Sequence, residues 1–225
     1  AKDSCKEIFN KLGSRILFIT DKGLMSLGLT KPTIEELKKM GLVEVFEEVE
    51  ADPSQKTLLK AIETGKRFKA TGVIGFGGGS SMDVAKLSAL ILGSDEDLEK
   101  AWGVENAKGP RLPLVLFPTT AGTGSEVTPI SIITVGEEEK KGVSSPIILP
   151  DLAILDPELT LGLPAATTAA TGIDAMVHAI EAYSSTNKNN NPISKMIAIE
   201  ALKLLGSSIE TAVTDGSNVE ARGNM

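Results

Sequence analysis

Three short segments carry residue types whose spacing suits cofactor or metal chemistry. The first is Gly75-Phe-Gly77-Gly78-Gly79-Ser80-Ser81-Met-Asp83. Three consecutive glycines remove every Cβ from a turn, so backbone N–H groups can approach a pyrophosphate, and the positive end of a following helix adds attraction. The spacing departs from G-x-G-x-x-G because Ser80 stands in place of the third glycine. A tight turn without a ligand is the alternative. Asp83 in the first helical turn either complements the helix dipole or takes part in function. The second segment is Pro118-Thr119-Thr120-Ala-Gly122-Thr123-Gly124-Ser125-Glu126, whose hydroxyls suit either a ligand at a strand's carboxyl end or the caps and turns of a loop. The third is Asp174 and His178, four residues apart on a predicted helix and so on one face. That pair can ligate one divalent metal, or it can simply share a local hydrogen bond. Asp21, closing Ile19-Thr20-Asp21, can accept hydrogen bonds from an adenosine ribose and repel the 2′-phosphate of NADP, which favours NAD; an Asx turn after a strand is the other reading.

These residues need a scaffold, and the hydrophobic pattern supplies one. Arg15–Thr20 reads as a strand, Thr33–Met40 as a helix, Val43–Val49 as a second strand, and Asp52-Pro53-Ser54 as a turn into a helix over Lys56–Lys69. Gly72–Phe76 follows as a strand, Ser81–Leu92 as a helix, and Leu112–Phe117 as a strand buried on both faces. Strands alternating with helices predict an α/β fold, a doubly wound, Rossmann-like parallel sheet. Val143–Asp156 reads as two apolar stretches separated by Pro150-Asp151, irregular or edge strands leaving the sheet domain. After Pro164 the pattern is helical throughout, with Asn189-Asn190-Asn191 capping a helix that opens at Pro192 and Asn218 capping the last. The expected organisation is an NAD-binding α/β domain over residues 1–163 and the start of an all-helical metal and substrate domain over 164–225, left incomplete by this chain.

Composition narrows the function classes. With 225 residues, 41% hydrophobic and 24% charged, the chain can bury a sizeable core and is not globally disordered. A net charge of −7 without a basic cluster argues against nucleic acid as a partner. The lone Cys5 forms no internal disulfide, and no long apolar run suits a membrane, so a cytoplasmic setting is expected. His178 is the single histidine, so a site needing two or three imidazoles is not completed by these residues.

Taken together, Gly77-Gly-Gly-Ser-Ser-Met-Asp-Val-Ala-Lys86, Pro118–Glu126 and Gly172-Ile-Asp-Ala-Met-Val-His-Ala-Ile-Glu-Ala-Tyr183 resemble the iron-containing, or group III, alcohol dehydrogenases from Arg15 to Met225. The resemblance implies a two-domain enzyme with its active site between the domains. It assigns Asp21 to the adenosine ribose, Gly77, Gly78, Gly79 and Ser80 to the pyrophosphate, and Thr119, Thr120, Thr123, Lys141 and Leu159 to further cofactor contacts. Asp174 and His178 match the first two of one Asp and three His that hold Fe2+ or Zn2+ in that family; the other two fall beyond Met225. The resemblance therefore also implies missing residues at the carboxyl end and at the amino end. The implied activity is that of an NAD-dependent alcohol dehydrogenase or aldehyde reductase acting on a small alcohol or aldehyde, in a homo-oligomer. Other possible activities are nucleotide binding without turnover, a hydroxyacid–oxoacid transhydrogenase and a dehydroquinate-synthase-like lyase.

Overall fold

A computed structural model describes residues 2–225. Its strands are β1 (Arg15–Ile19), β2 (Leu42–Phe46), β3 (Gly72–Gly77), β4 (Gly103–Val104), β5 (Leu114–Pro118), β6 (Ile130–Val135), β7 (Glu139–Ser144) and β8 (Leu152–Ala153). Its helices are α1 (Cys5–Leu12), α2 (Lys22–Ser26), α3 (Lys31–Lys38), α4 (Gln55–Phe68), α5 (Gly79–Ser94), α6 (Leu98–Ala101), α7 (Ala165–Ser184), α8 (Pro192–Thr214) and α9 (Val219–Asn224). By contacts the chain divides into two units, one running to Pro118 and including Ser125–Leu155, the other made of Thr119–Gly124 and Asp156–Met225.

The first unit is built on a five-stranded sheet of order β2-β1-β3-β5-β8, parallel at every pairing. Strands β1, β3 and β5 are almost wholly buried, which is why they read as continuous apolar runs rather than alternating ones. The chain moves from β1 to β2 in one direction and from β2 past β1 to β3 in the other. Right-handed crossovers put the connecting helices on opposite faces and leave a topological switch point between β1 and β3. Helix α4 packs against α5, and α1 against α3. Phe18, Phe76 and Phe117 stack across β1, β3 and β5 with ring centroids 5.5 and 5.4 Å apart.

Two expectations about this unit change. Helix α5 begins at Gly79 rather than Ser81, because Gly78 supplies an extended N-cap and nothing in the backbone of Gly79 or Ser80 resists the helix. The stretch from Val143 as far as Leu155 does not leave the sheet unit. Val143 belongs to β7, which forms an antiparallel hairpin with β6, and Leu152–Ala153 returns as the fifth strand of the parallel sheet. The charged run Glu137–Lys141 hid the hairpin: most of its residues are exposed, so hydrophobic patterning carries little signal there.

The second unit pairs α7 with α8 and α8 with α9. Asn191 caps α8 through a reciprocal capping box with Ser194, and the Asn218 side chain accepts from the Ala221 N–H at the start of α9. Gly172 permits close helix packing, since a Cβ there would lie 2.7 Å from Ile209 Cδ1. Buried Arg222 donates to Thr168 Oγ1 at 2.6 Å, to the Gly216 carbonyl at 3.1 Å and to the Leu163 carbonyl at 3.3 Å, tying α9 back to α7 and to the turn before it. Ile173, Val177, Ile180, Ile193, Met196 and Ile197 are exposed on α7 and α8. No helix among the described residues is long and apolar enough to cross a membrane.

Candidate dinucleotide and metal site

Within the first unit, the candidate residues gather where the sheet order reverses. Asp21 directly follows β1 and caps α2, its Oδ1 accepting from the Leu24 N–H at 2.9 Å. This is the Asx-type contact expected of a turn, and it also fixes the carboxylate at the sheet's carboxyl edge. Gly77 ends β3 with φ +151°, a conformation side chains rarely adopt, and a Cβ there would lie 2.7 Å from Ser81 Oγ. The same hypothetical Cβ would be 3.3 Å from Leu24 Cδ1, so the Asp21 turn and the glycine turn are packed neighbours. Gly75 has a different reason to be glycine: its Cβ would sit 2.7 Å from Ala85 Cβ, so α5 lies directly on β3. Gly78 is the N-cap of α5, and Gly79 and Ser80 form its first turn. The result is a run of backbone N–H groups and a helix N-terminus at the switch point, where α/β sheets bind nucleotides.

Beside Asp21, an open groove of about 520 Å³ is lined by Lys22, Glu47, Glu48, Glu50, Lys56 and Lys60 among others. Two of these charges, Glu48 and Lys60, form an ion pair. Glu48 accepts from Lys60 at 2.8 Å, which holds its carboxyl below the usual range. Burial pushes the Glu50 carboxyl pKa upward, but hydrogen bonds from Ser54 and Thr57 outweigh that effect and leave it lowered.

A buried polar cluster under the second motif was not foreseen in the sequence. Lys86 is 0% exposed, and its Nζ donates to Ser125 Oγ and to the Ile130 carbonyl, each at 2.7 Å. Asp83 accepts from Ser125 Oγ at 2.9 Å and from the Ile132 N–H at 3.0 Å, so it is not a dipole-complementing surface acid. Burial pushes the Lys86 ammonium down to about 8 against the opposing pull of Asp83 and Glu126, and burial raises the carboxyls of Asp83 and Glu126. One signal was available: Asp83 and Lys86 are the only charges in a helical run from Met82 to Leu92 that is otherwise apolar or small, so the helix lacks a broad charged face and is expected to be covered on most sides.

Lys141 lies on β7 opposite Ile133 of β6, hence on the same face of the hairpin as that buried side chain. Pro118 pairs with Gly77 and leads into Thr119, Thr120 and Thr123. In the second unit, Gly122 of that loop packs on α7, where a Cβ would meet the Thr171 carbonyl at 3.0 Å. Asp174 and His178 lie on α7, the former one turn beyond Thr171, with Oδ1 and Nε2 3.8 Å apart and both side chains about half exposed. Leu159 is buried in a 3-10 turn over Pro157–Thr160. Among the described residues, no three His, Cys, Asp or Glu side chains are grouped to hold a metal ion.

A sequence profile of the iron-containing alcohol dehydrogenases matches residues 1–157, and one for the C-terminal part of the same family matches 168–225. The chain belongs to the iron-containing alcohol dehydrogenase family. Within that family it is 38% identical over 226 residues to the sulfoacetaldehyde reductase of Bilophila wadsworthia, covering 100% of this chain and 58% of that protein. It is 41% identical to long-chain-alcohol dehydrogenase 1 of Geobacillus thermodenitrificans, covering 96% and 55% respectively. The crystal structure of sulfoacetaldehyde reductase from Bifidobacterium kashiwanohense in complex with NAD+ superposes with a TM-score of 0.87 at 33% identity, covering 99% of this chain and 58% of that one. The chain thus spans a little over half the length of these family members.

Proposed function

We propose that this chain carries the NAD-binding part and two metal donors of an oxidoreductase that interconverts a small alcohol and its aldehyde. The observation that carries the proposal is the glycine turn at the β1/β3 switch point, where Gly77 adopts a backbone conformation that a side chain would strain. The N–H groups of Gly78, Gly79 and Ser80 would donate to the pyrophosphate, and Asp21 would accept from the adenosine ribose while its charge disfavours NADP. Thr119, Thr120, Thr123, Lys141 and Leu159 would line the remainder of the dinucleotide. Bound there, NAD would supply a hydride acceptor for the alcohol carbon, and NADH a hydride donor for the aldehyde. Relatives named sulfoacetaldehyde reductase, long-chain-alcohol dehydrogenase 1 and 1,3-propanediol dehydrogenase support alcohol–aldehyde chemistry, the last of them with a small alcohol.

Asp174 and His178 present one carboxylate and one imidazole, a donor pair suited to Fe2+ or Zn2+ but only half of a four-ligand set. A metal held by these two alone is expected to be lost on dialysis. A second reading, nucleotide binding without turnover, draws on the same lack of a third donor among the described residues. The deciding experiment measures NADH affinity by fluorescence and NADH formation from short primary alcohols, with and without added iron or zinc. Binding with metal-dependent turnover supports the dehydrogenase. Binding without turnover under either condition favours the second reading, and absence of binding refutes both. Stoichiometric metal retained through dialysis would contradict the half-site.

A further inference from the structure

Strand β6 has a paired neighbour, β7, on one side; on the other, side chains and a loop take the place of a strand. Three alternate residues present backbone groups along that second edge. The Ile130 carbonyl accepts from Lys86 Nζ at 2.7 Å, the Ile132 N–H donates to Asp83 Oδ2 at 3.0 Å, and the Thr134 N–H donates to the Pro53 carbonyl at 2.9 Å. An ammonium offers only donors and a carboxylate only acceptors, so Lys86 and Asp83 supply the two polarities that a neighbouring strand would present in turn. The edge is thereby satisfied without another strand, which would have to occupy the space taken by α5. Ser131 adds a bond from its Oγ to the Asp83 carbonyl at 3.0 Å.

We propose that Asp83 and Lys86 are positioning residues that close the free edge of β6 and so fix the β6–β7 hairpin, with its Lys141, relative to the glycine turn that opens α5. The link to Lys141 as a cofactor contact rests on the function proposed above; the edge closure stands on the hydrogen bonds alone. The geometry makes one rigid element serve both parts. Gly79 and Ser80 form the first turn of α5, and Asp83 and Lys86 lie on its next two turns, holding Ser125, Ile130 and Ile132. A hairpin docked by apolar contacts alone could slide along the helix, because those contacts are non-directional; two charge-assisted bonds to specific backbone groups set its register. Lys86 is the more demanding partner, since removing it leaves the Ile130 carbonyl and Ser125 Oγ without that donor and the largely buried Asp83 carboxylate without the cation 3.9 Å away.

The test uses the 225-residue chain as wild type, Lys86→Met, the nearly isosteric Asp83→Asn, Lys141→Ala and Lys86→Met/Lys141→Ala. Amide hydrogen exchange is followed at Ile132, Val143 and, as a reference in the parallel sheet, Ile74, together with NADH affinity by fluorescence. In Lys86→Met, exchange at Ile132 and Val143 is expected to accelerate by about tenfold or more while Ile74 keeps its protection. Asp83→Asn should give the same pattern more weakly at Ile132, which keeps the proposal open to test if Lys86→Met fails to fold. NADH affinity should fall by about tenfold in Lys86→Met, and the double variant should bind no more weakly than Lys141→Ala alone, since the two residues would act through one contact. Unchanged exchange at Ile132, or equal acceleration at Ile74, overturns the edge closure. Additive losses in the double variant overturn the route through Lys141. A wild-type chain that binds no NADH, or a Lys141→Ala variant that binds it normally, refutes the functional reading, and the exchange comparison still decides the anchoring.

Discussion

Gly77→Ala is the perturbation whose consequences can be worked furthest from the geometry. At φ +151° the backbone occupies a region open essentially to glycine, and an alanine held there costs about 1–3 kcal/mol. The added Cβ would also lie 2.7 Å from Ser81 Oγ and 2.8 Å from Ser81 Cβ. The hydroxyl can rotate away, but no side-chain torsion moves the Cβ, which is bonded directly to the backbone of α5, so relief requires the helix to shift by several tenths of an ångström. Overpacking of this kind costs about 1–3 kcal/mol. One displacement relieves part of both terms, so the sum should be about 2–4 kcal/mol. Because the displaced turn also carries the N–H groups of Gly78, Gly79 and Ser80, NADH affinity should fall by about tenfold or more, equivalent to about 1.4 kcal/mol. Urea unfolding followed at Trp102 and an NADH fluorescence titration read the two effects. Gly28→Ala is the control: its φ is +73° with nothing within 4 Å of the new Cβ, so it should lose about 1 kcal/mol of stability through strain and leave affinity unchanged. A Gly77→Ala chain with unchanged stability and NADH affinity would refute both the steric argument and the placement of the pyrophosphate.

Three further outcomes follow from the same geometry. Asp21→Ser retains an N-cap side chain for α2 while removing the charge, so NADPH affinity relative to NADH should rise by about tenfold in competitive titrations with little loss of stability. Lys86 has a folded pKa near 8, below its ordinary 10.5, so between those values the unfolded chain binds more protons and stability rises with pH. The stability of the wild type relative to Lys86→Met should therefore increase from pH 8 toward 10.5, measured by urea unfolding at each pH; a flat or falling difference would show that Lys86 is not desolvated. Arg222→Met leaves the Thr168 hydroxyl and the Gly216 and Leu163 carbonyls without the guanidinium and should destabilise α9 by about 2–3 kcal/mol, seen as faster exchange at Ala221 with β3 unaffected.

The sequence by itself determined the parts set by local chemistry. Continuous apolar runs at Arg15–Ile19 and Leu114–Pro118 dictate strands buried on both faces, and their alternation with helices dictates a parallel sheet. Caps at Asp21, Asn191 and Asn218 follow from side-chain oxygens within reach of a helix's free N–H groups. The three glycines before Ser80 could be read as a phosphate-binding turn without coordinates, because the absence of Cβ atoms is itself a sequence fact. What tertiary structure decided depends on long-range partners. The β7 half of the β6–β7 hairpin is largely polar and gives no strong period, so only its pairing with β6 reveals it. The partners of Asp83 and Lys86 lie 39 to 49 residues away, a distance at which spacing carries no information. The strain at Gly77 and its contact with the Asp21 turn exist only because β1 and β3 are neighbours, although the whole of β2 and α4 separates them in sequence. Residue types fix which interactions are available; chain topology fixes which residues meet to make them.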